Sequence, residues 1–270
     1  MKKELFHYGI NELVPYIDWS YLLHAWGLNS NMQQSSTAEE VLHDAHSILQ
    51  ELDGKYHTHA TFALCQARSS EDDIIVEGTT IPMLRQQHAT HNEPNLCLSD
   101  FVSPHGDHIG LFATTVDERF GDEYRNDEYK HLLAQTIADR LAEATATVMH
   151  RAVRTDRDLW GYDEEESLTP EELNRESYRG IRPAVGYPSL PDQSIIFVIN
   201  EILQLRSIGI TLTPNGAMHP HSSVCGIMLH HPASRYFSVG KISPDQLQDY
   251  ASRRGTTPEQ IEKFLLKNIT

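Results

Sequence analysis

The chain has 270 residues, with 38 acidic against 22 basic side chains, which gives a formal charge of −16 with histidine neutral. That balance argues against nucleic acid or an anionic membrane as the main partner, because both require basic surface. Three cysteines, Cys65, Cys97 and Cys225, are too few and too far apart for a disulfide framework, and no CxxC offers a zinc ribbon or a redox pair. Met1-Lys2-Lys3-Glu4 reads as a native start, with no signal-peptide core and no apolar run of membrane length behind it. The expectation is a cytoplasmic protein.

In chain order, the first helix is expected over 37–53. Thr37-Ala38-Glu39-Glu40 reads as its capping box, and Val41, Leu42, Ala45, Ile48 and Leu49 recur at helical spacing up to Gly54. Thr61–Ala67 and Asp73–Glu77 read as strands around a turn at Ser69–Asp72, and His108–Thr115 as a third strand. A long helix follows over about 126–154, with Leu133, Ile137, Leu141, Ala144, Val148 and Ala152 on one stripe. Thr169-Pro170-Glu171-Glu172 caps a short helix running to about Tyr178, and Ile195–Leu205 reads as a buried helix. Val224–Leu229 and Tyr236–Ile242 read as strands joined at His231–Ser234. Two capped helices, from Ser243 and from Thr257, close the chain. Strands and helices do not alternate as βαβ units. The expected class is therefore α+β, a single domain over 1–270 with a mostly antiparallel sheet and helical ends.

Sixteen histidines include the close pairs His57/His59, His88/His91, His105/His108, His219/His221 and His230/His231. His105-Gly106-Asp107-His108 is the most ligand-like of these, but no HExxH is present, and surface and turn histidines are the favoured reading. No GxGxxG, P-loop or GxSxG occurs. The unusual segment is 175–188, which holds three arginines, two tyrosines, two prolines and two glycines in fourteen residues. Gly186 lets backbone approach a ligand, Arg182 offers a planar fork for a carboxylate, and Tyr187 offers a face and a hydroxyl. Two readings stay open: a ligand loop, or a rigid structural loop with Arg182 in an internal salt bridge. Asp139 and Glu143 lie four apart on the long helix, either as a solvated face or as an acidic patch suited to a cationic ligand.

Gly180-Ile181-Arg182-Pro183-Ala184-Val185-Gly186-Tyr187-Pro188 resembles the GIRPAxGYP loop of the activation domain of cobalamin-dependent methionine synthase. Ala138–Ala144 resembles that family's long helix, Leu159-Trp160-Gly161-Tyr162 its WGY element, and Leu96–Val102 its CLADFV run. Ala217-Met218, Pro220, Ser223-Val224 and Gly226 are similar to its AMxPxxSVxG pattern, and His231-Pro232 through Gly255 to its C-terminal run. The similarity begins near Asp18-Trp19 and continues in unbroken order to the last helix.

The resemblance implies an α+β domain around a bent antiparallel sheet that binds S-adenosylmethionine and supports reductive remethylation of cob(II)alamin. It carries Asp44, Glu143, Glu176, Arg182, Ala184, Gly186 and Tyr187 over as ligand residues, with Tyr187 the one candidate for a part in the transfer itself and no metal ligand among them. Cobalamin would be carried by the partner, a methionine synthase lacking its own activation domain, with flavodoxin or another reductant as electron source. Two stretches depart from the family pattern. Ser189-Leu190-Pro191-Asp192-Gln193 stands in place of a PxCPxH-like run, and Thr213-Pro214-Asn215-Gly216 in place of an acidic one. These departures bear on corrinoid-facing or interdomain contacts. The alternatives are a non-catalytic S-adenosylmethionine-binding accessory or docking protein for another corrinoid protein, and a structural partner without ligand.

Overall fold

Residue parity in three long strands builds a sheet with two buried faces. The computed structural model describes residues 1–28, 35–88 and 93–269. Strands β1 (Lys2–Gly9), β2 (His57–Ser70), β3 (Asp73–Val76), β4 (Thr79–Pro82), β5 (Asp107–Val116) and β8 (Ser223–Met228) form one antiparallel sheet in the order β4-β3-β2-β5-β8. β1 pairs with β2 over His57–Leu64, and β3 takes over from Ala67. Since β5 already spans Thr58–Ala67, β1 and β3 share the opposite edge of β2. A small pair, β6 (Thr211–Leu212) and β7 (Met218–His219), stands apart.

Successive strand side chains point to opposite faces. Ala60, Phe62, Phe112, Val116, Val224 and Met228 accordingly face one core, with the helices α1 (Ile10–Leu13), α2 (Trp19–Ala25), α3 (Ser36–Leu52) and α4 (Glu128–Thr155). Ala63, Cys65, Ala67, Ile109, Leu111, Ala113, Cys225 and Ile227 face the other, which α6 (Ile195–Leu203) covers. α5 (Pro170–Asn174) precedes the 175–188 segment. α7 (Pro244–Arg253) and α8 (Pro258–Glu262) build a small third cluster around Tyr250 and Ile261. This is the α+β class and the antiparallel sheet expected from sequence.

Several boundaries differ, each for a local reason. Ser35, not Thr37, caps α3, because Ser35 is extended and its hydroxyl accepts from Ala38 N–H at 3.2 Å, leaving Thr37 inside the first turn. The Thr169 capping box is present, but α5 stops at Asn174, and Glu176 just beyond adopts φ +56°. Residues 236–242 do not pair into the sheet. There Phe237 N–H donates to Ser189 Oγ and Val239 N–H to Pro188 O (2.9 Å), so the segment straps the neighbouring loop. β1, β4, α1 and α2 were not expected at all.

Candidate functional site

α4 runs along the sheet and offers Arg140, Glu143 and Thr147 from its middle turns. The 181–188 loop lies across β8. Ile181 and Leu229 bond each other's backbone, Val185 N–H donates to Cys225 O (2.8 Å), and Ile227 N–H donates to Pro183 O (3.0 Å). Between loop and helix are two adjoining cavities of about 210 and 340 Å³. Glu143, Glu176, Arg182 and Tyr187 line both, so they form one groove. Its first half is polar, closed by Tyr16, Asp18, Tyr21 and Asn174. Its second half is mostly apolar, walled by Phe112, Pro183, Ala184, Pro188, Val224 and Phe237, with Tyr236 beside them.

Arg182 is fixed from two sides. Its backbone N–H donates to Tyr236 Oη and its Nη2 to Thr147 Oγ1, each at 3.0 Å. Nη1 is buried with no partner, and Arg182 forms no ion pair among the described residues. The internal salt bridge left open by the sequence is therefore absent. Burial works against its charge, but Tyr178, Tyr236, Glu143 and Glu176 outweigh it and hold the guanidinium ionised. Glu176 moves the other way: burial, with the like charge of Glu143, raises its pKa above the ordinary carboxylate value although Arg182 opposes the shift. Its left-handed backbone is the strained conformation that collects at ligand sites. Tyr187 Oη donates to Glu143 Oε1 at 3.1 Å, and burial with Glu143 pushes the phenol up to about 12, so it is a donor at neutral pH. Gly186 sits at φ +86°, a conformation glycine adopts without strain.

The structure thus brings Glu143, Glu176, Arg182, Ala184 and Tyr187 to one groove, with Gly186 turning the loop between the last two. Asp44 does not join them. It lies on α3, accepts from Tyr129 Oη at 3.0 Å and lines neither cavity. The early aspartate in the groove is Asp18, which caps α2 by accepting from Ser20 and Tyr21 N–H. Its signal was an acid directly ahead of an apolar helical run, the usual mark of an N-cap. Tyr16, Thr147 and Tyr236 were also missed. Asp139, the other acid of the helix patch, accepts from Ser222 Oγ at 2.7 Å instead of lining the groove.

The two stretches that depart from the family pattern meet each other. Gln193 Nε2 donates to Gly216 O at 2.9 Å, and Asp192 is fully buried. Among the described residues no group of three or more His, Cys, Asp or Glu side chains is placed to hold a metal ion. His91 lies outside the described residues; His230 pairs with Asp107 at 2.8 Å, and His59 with Asp117 at 2.9 Å. The three cysteines are free and buried. No helix among the described residues is long and apolar enough to cross a membrane.

A family profile described as vitamin B12 dependent methionine synthase, activation domain, matches residues 9–255. A solved structure described as the MetH reactivation domain bound to AdoHcy superposes with a TM-score of 0.92 at 33% identity, over 100% of this chain and 90% of that one. The profile match spans nearly all of the chain and takes in both halves of the groove, so the chain belongs to the activation-domain family of vitamin B12-dependent methionine synthase.

Proposed function

We propose that the groove binds S-adenosylmethionine and that the chain presents its methyl group, in trans, to a cobalamin carried by the cobalamin module of a methionine synthase. One observation carries this reading: a sheltered guanidinium with an unpartnered nitrogen stands among acids at the polar end of a groove whose other end is apolar. The AdoHcy held by the related reactivation domain is the demethylated form of the same ligand and supports the ligand class.

The residues bind and orient; little acid–base work is needed. Arg182 suits the amino-acid carboxylate, since a fork of donors is the strongest partner for that group. Asp18, Glu143 and Glu176 give the polar half a negative field, which suits a ligand carrying an ammonium and a sulfonium. Phe112, Ala184, Val224 and Phe237 offer the flat, dry half for a purine. Bound S-adenosylmethionine supplies an electrophilic methyl whose transfer leaves a neutral thioether. Tyr187, half exposed at the junction of the two halves, is placed to touch both the ligand and an incoming partner. Cobalamin is assigned to the partner on the family resemblance, and flavodoxin or another reductant supplies the electron.

Calorimetric titration with S-adenosylmethionine tests the reading. Wild type binds, and Arg182→Ala loses a charge-assisted contact of about 1.5–3 kcal/mol, or roughly 10- to 150-fold in Kd. An unchanged Kd in the variant removes Arg182 from the site, and no binding by wild type overturns the reading.

A further inference from the structure

Behind the groove, one stripe of α4 is polar although it is buried. Glu143, Thr147, His150 and Arg154 are spaced four, three and four residues apart and so share a helix face. Glu143 lines the groove and Thr147 holds Arg182. His150 and Arg154 are each 0% exposed. Arg154 forks onto Glu166, with Nη2 donating to Oε1 at 2.8 Å and Nε to Oε2. Its guanidinium carbon sits 4.2 Å from the centre of the Tyr178 ring. His150 packs edge-on against the same ring at 4.9 Å. Tyr178 stands between Glu176 and Arg182 in the chain, so whatever holds its ring holds the backbone that carries both.

Four atoms of this cluster, His150 Nδ1, Arg154 Nη1, Tyr178 Oη and Arg182 Nη1, are buried without a partner. Buried polar atoms are nearly always bonded, and a buried ion pair contributes less stability than an apolar replacement often would. Stability alone is therefore a poor account of Arg154. We infer that Arg154, paired to Glu166 and laid against Tyr178, is a positioning residue that sets Arg182 for the ligand carboxylate. Glu166 cancels its charge, so it does not compete with Arg182 for an anion. The flat guanidinium face grips the Tyr178 ring, which an ammonium cannot do in the same way. The restraint is needed because Glu176, two residues before Tyr178, is in a left-handed conformation that its own backbone does not favour.

The inference rests on the reading that Arg182 takes the amino-acid carboxylate, and the test separates the two. Each protein is titrated with S-adenosylhomocysteine and with 5′-methylthioadenosine, which lacks the amino-acid end. Arg154→Lys keeps the charge but loses the flat face and the fork. It is expected to raise the S-adenosylhomocysteine Kd about tenfold or more and leave the 5′-methylthioadenosine Kd within about twofold. Tyr178→Leu removes the ring while leaving the Arg154–Glu166 pair in place, and gives the same selective loss should Arg154→Lys fail to fold. Tyr178→Phe keeps the ring and retains the preference for S-adenosylhomocysteine. Parallel weakening of both ligands, or a lowered melting temperature with both affinities unchanged, overturns the inference. Selective loss in Arg182→Ala with none in Arg154→Lys and Tyr178→Leu overturns it while sparing the binding reading. No selective loss in Arg182→Ala overturns that reading itself.

Discussion

At Gly226 the absence of a side chain decides where the ligand loop lies. A Cβ there would stand 2.3 Å from Pro183 O and 2.8 Å from Ala184 Cα, both backbone atoms of the loop. Gly186 is tight for another reason: its Cβ would meet Gln193 Oε1 at 2.5 Å, the far end of a flexible side chain, at φ +86°. Gly226→Ala must therefore displace the loop, at about 3 kcal/mol, whereas Gly186→Ala costs about 1 kcal/mol of backbone strain. Urea denaturation beside S-adenosylhomocysteine titration checks the order, and a larger loss at Gly186 would mean the loop slides freely over β8. Residues close together in sequence were legible at this scale. Arg182, Ala184, Gly186 and Tyr187 stand within six positions, in a segment whose composition is unusual. Asp18 was legible only as an N-cap, because the short helix behind it carries no periodic signal, while Asp44 sat on a clear amphipathic helix. Tyr236 lies 54 positions from Arg182, and only the strap of 236–242 over the loop brings them together.

Within elements, α4 shows how a helix can be apolar in pattern and still carry the site. Its apolar residues gave its extent to within two residues, but the buried stripe at Thr147, His150 and Arg154 is invisible to a hydrophobic count. Burial first, then the charges of Arg154 and Arg182, push His150 well below its ordinary 6.5, so it is neutral in the folded protein. The sign follows from proton uptake. Below 6.5 the unfolded chain binds a proton at this position and the folded chain does not. Stability from His150 is thus complete above 6.5 and lost as pH falls, by up to about 1.4 kcal/mol per pH unit. His150 Nε2 shares a hydrogen bond with Tyr162 Oη at 3.0 Å, and His150→Gln keeps a partner there while removing the titration. Chemical denaturation at pH 7, 6 and 5 is expected to show wild type losing stability more steeply than the variant; parallel curves would mean His150 protonates in the fold. β2, β3, β5 and β8 were legible because their bodies are apolar and β-rich, even where, as in β3, only alternate residues are buried. β2 was expected over Thr61–Ala67 but extends to His57–Ser70, because its polar ends are held by pairing with β1, β3 and β5. β1 itself is an edge strand with no fully buried residue, and only Phe6 and Tyr8 turn toward the core, too short a pattern to read.

Across the whole molecule, the lack of βαβ alternation was enough to give the α+β class, but not how the C-terminal helices attach. Arg253 ties them to Asp73 and to Met83 O, and a second, buried contact lies beside the 181–188 loop. Tyr250 is 0% exposed and its Oη donates to Asp192 Oδ2 at 2.7 Å. Asp192 Oδ1 accepts from Ser194 N–H at 2.8 Å, and Arg254 donates to Ser194 Oγ at the same distance. Burial, with Asp192 beside it, raises the Tyr250 phenol well above its ordinary value, so it donates throughout the neutral range. Tyr250→Phe leaves a buried carboxylate one donor short, which costs about 1.5–3 kcal/mol. The ligand loop is held separately, by its bonds from Val185 to Cys225 and from Pro183 to Ile227 on β8. Two outcomes can therefore be told apart by measuring stability and S-adenosylhomocysteine affinity on the same variant. The expected result is a lower urea midpoint with the affinity changed less than about twofold, since the groove is anchored to the sheet and not to the C-terminal helices. A parallel fall in affinity would instead make the Tyr250–Asp192 contact part of what shapes the groove, and would extend the binding unit to the end of α7.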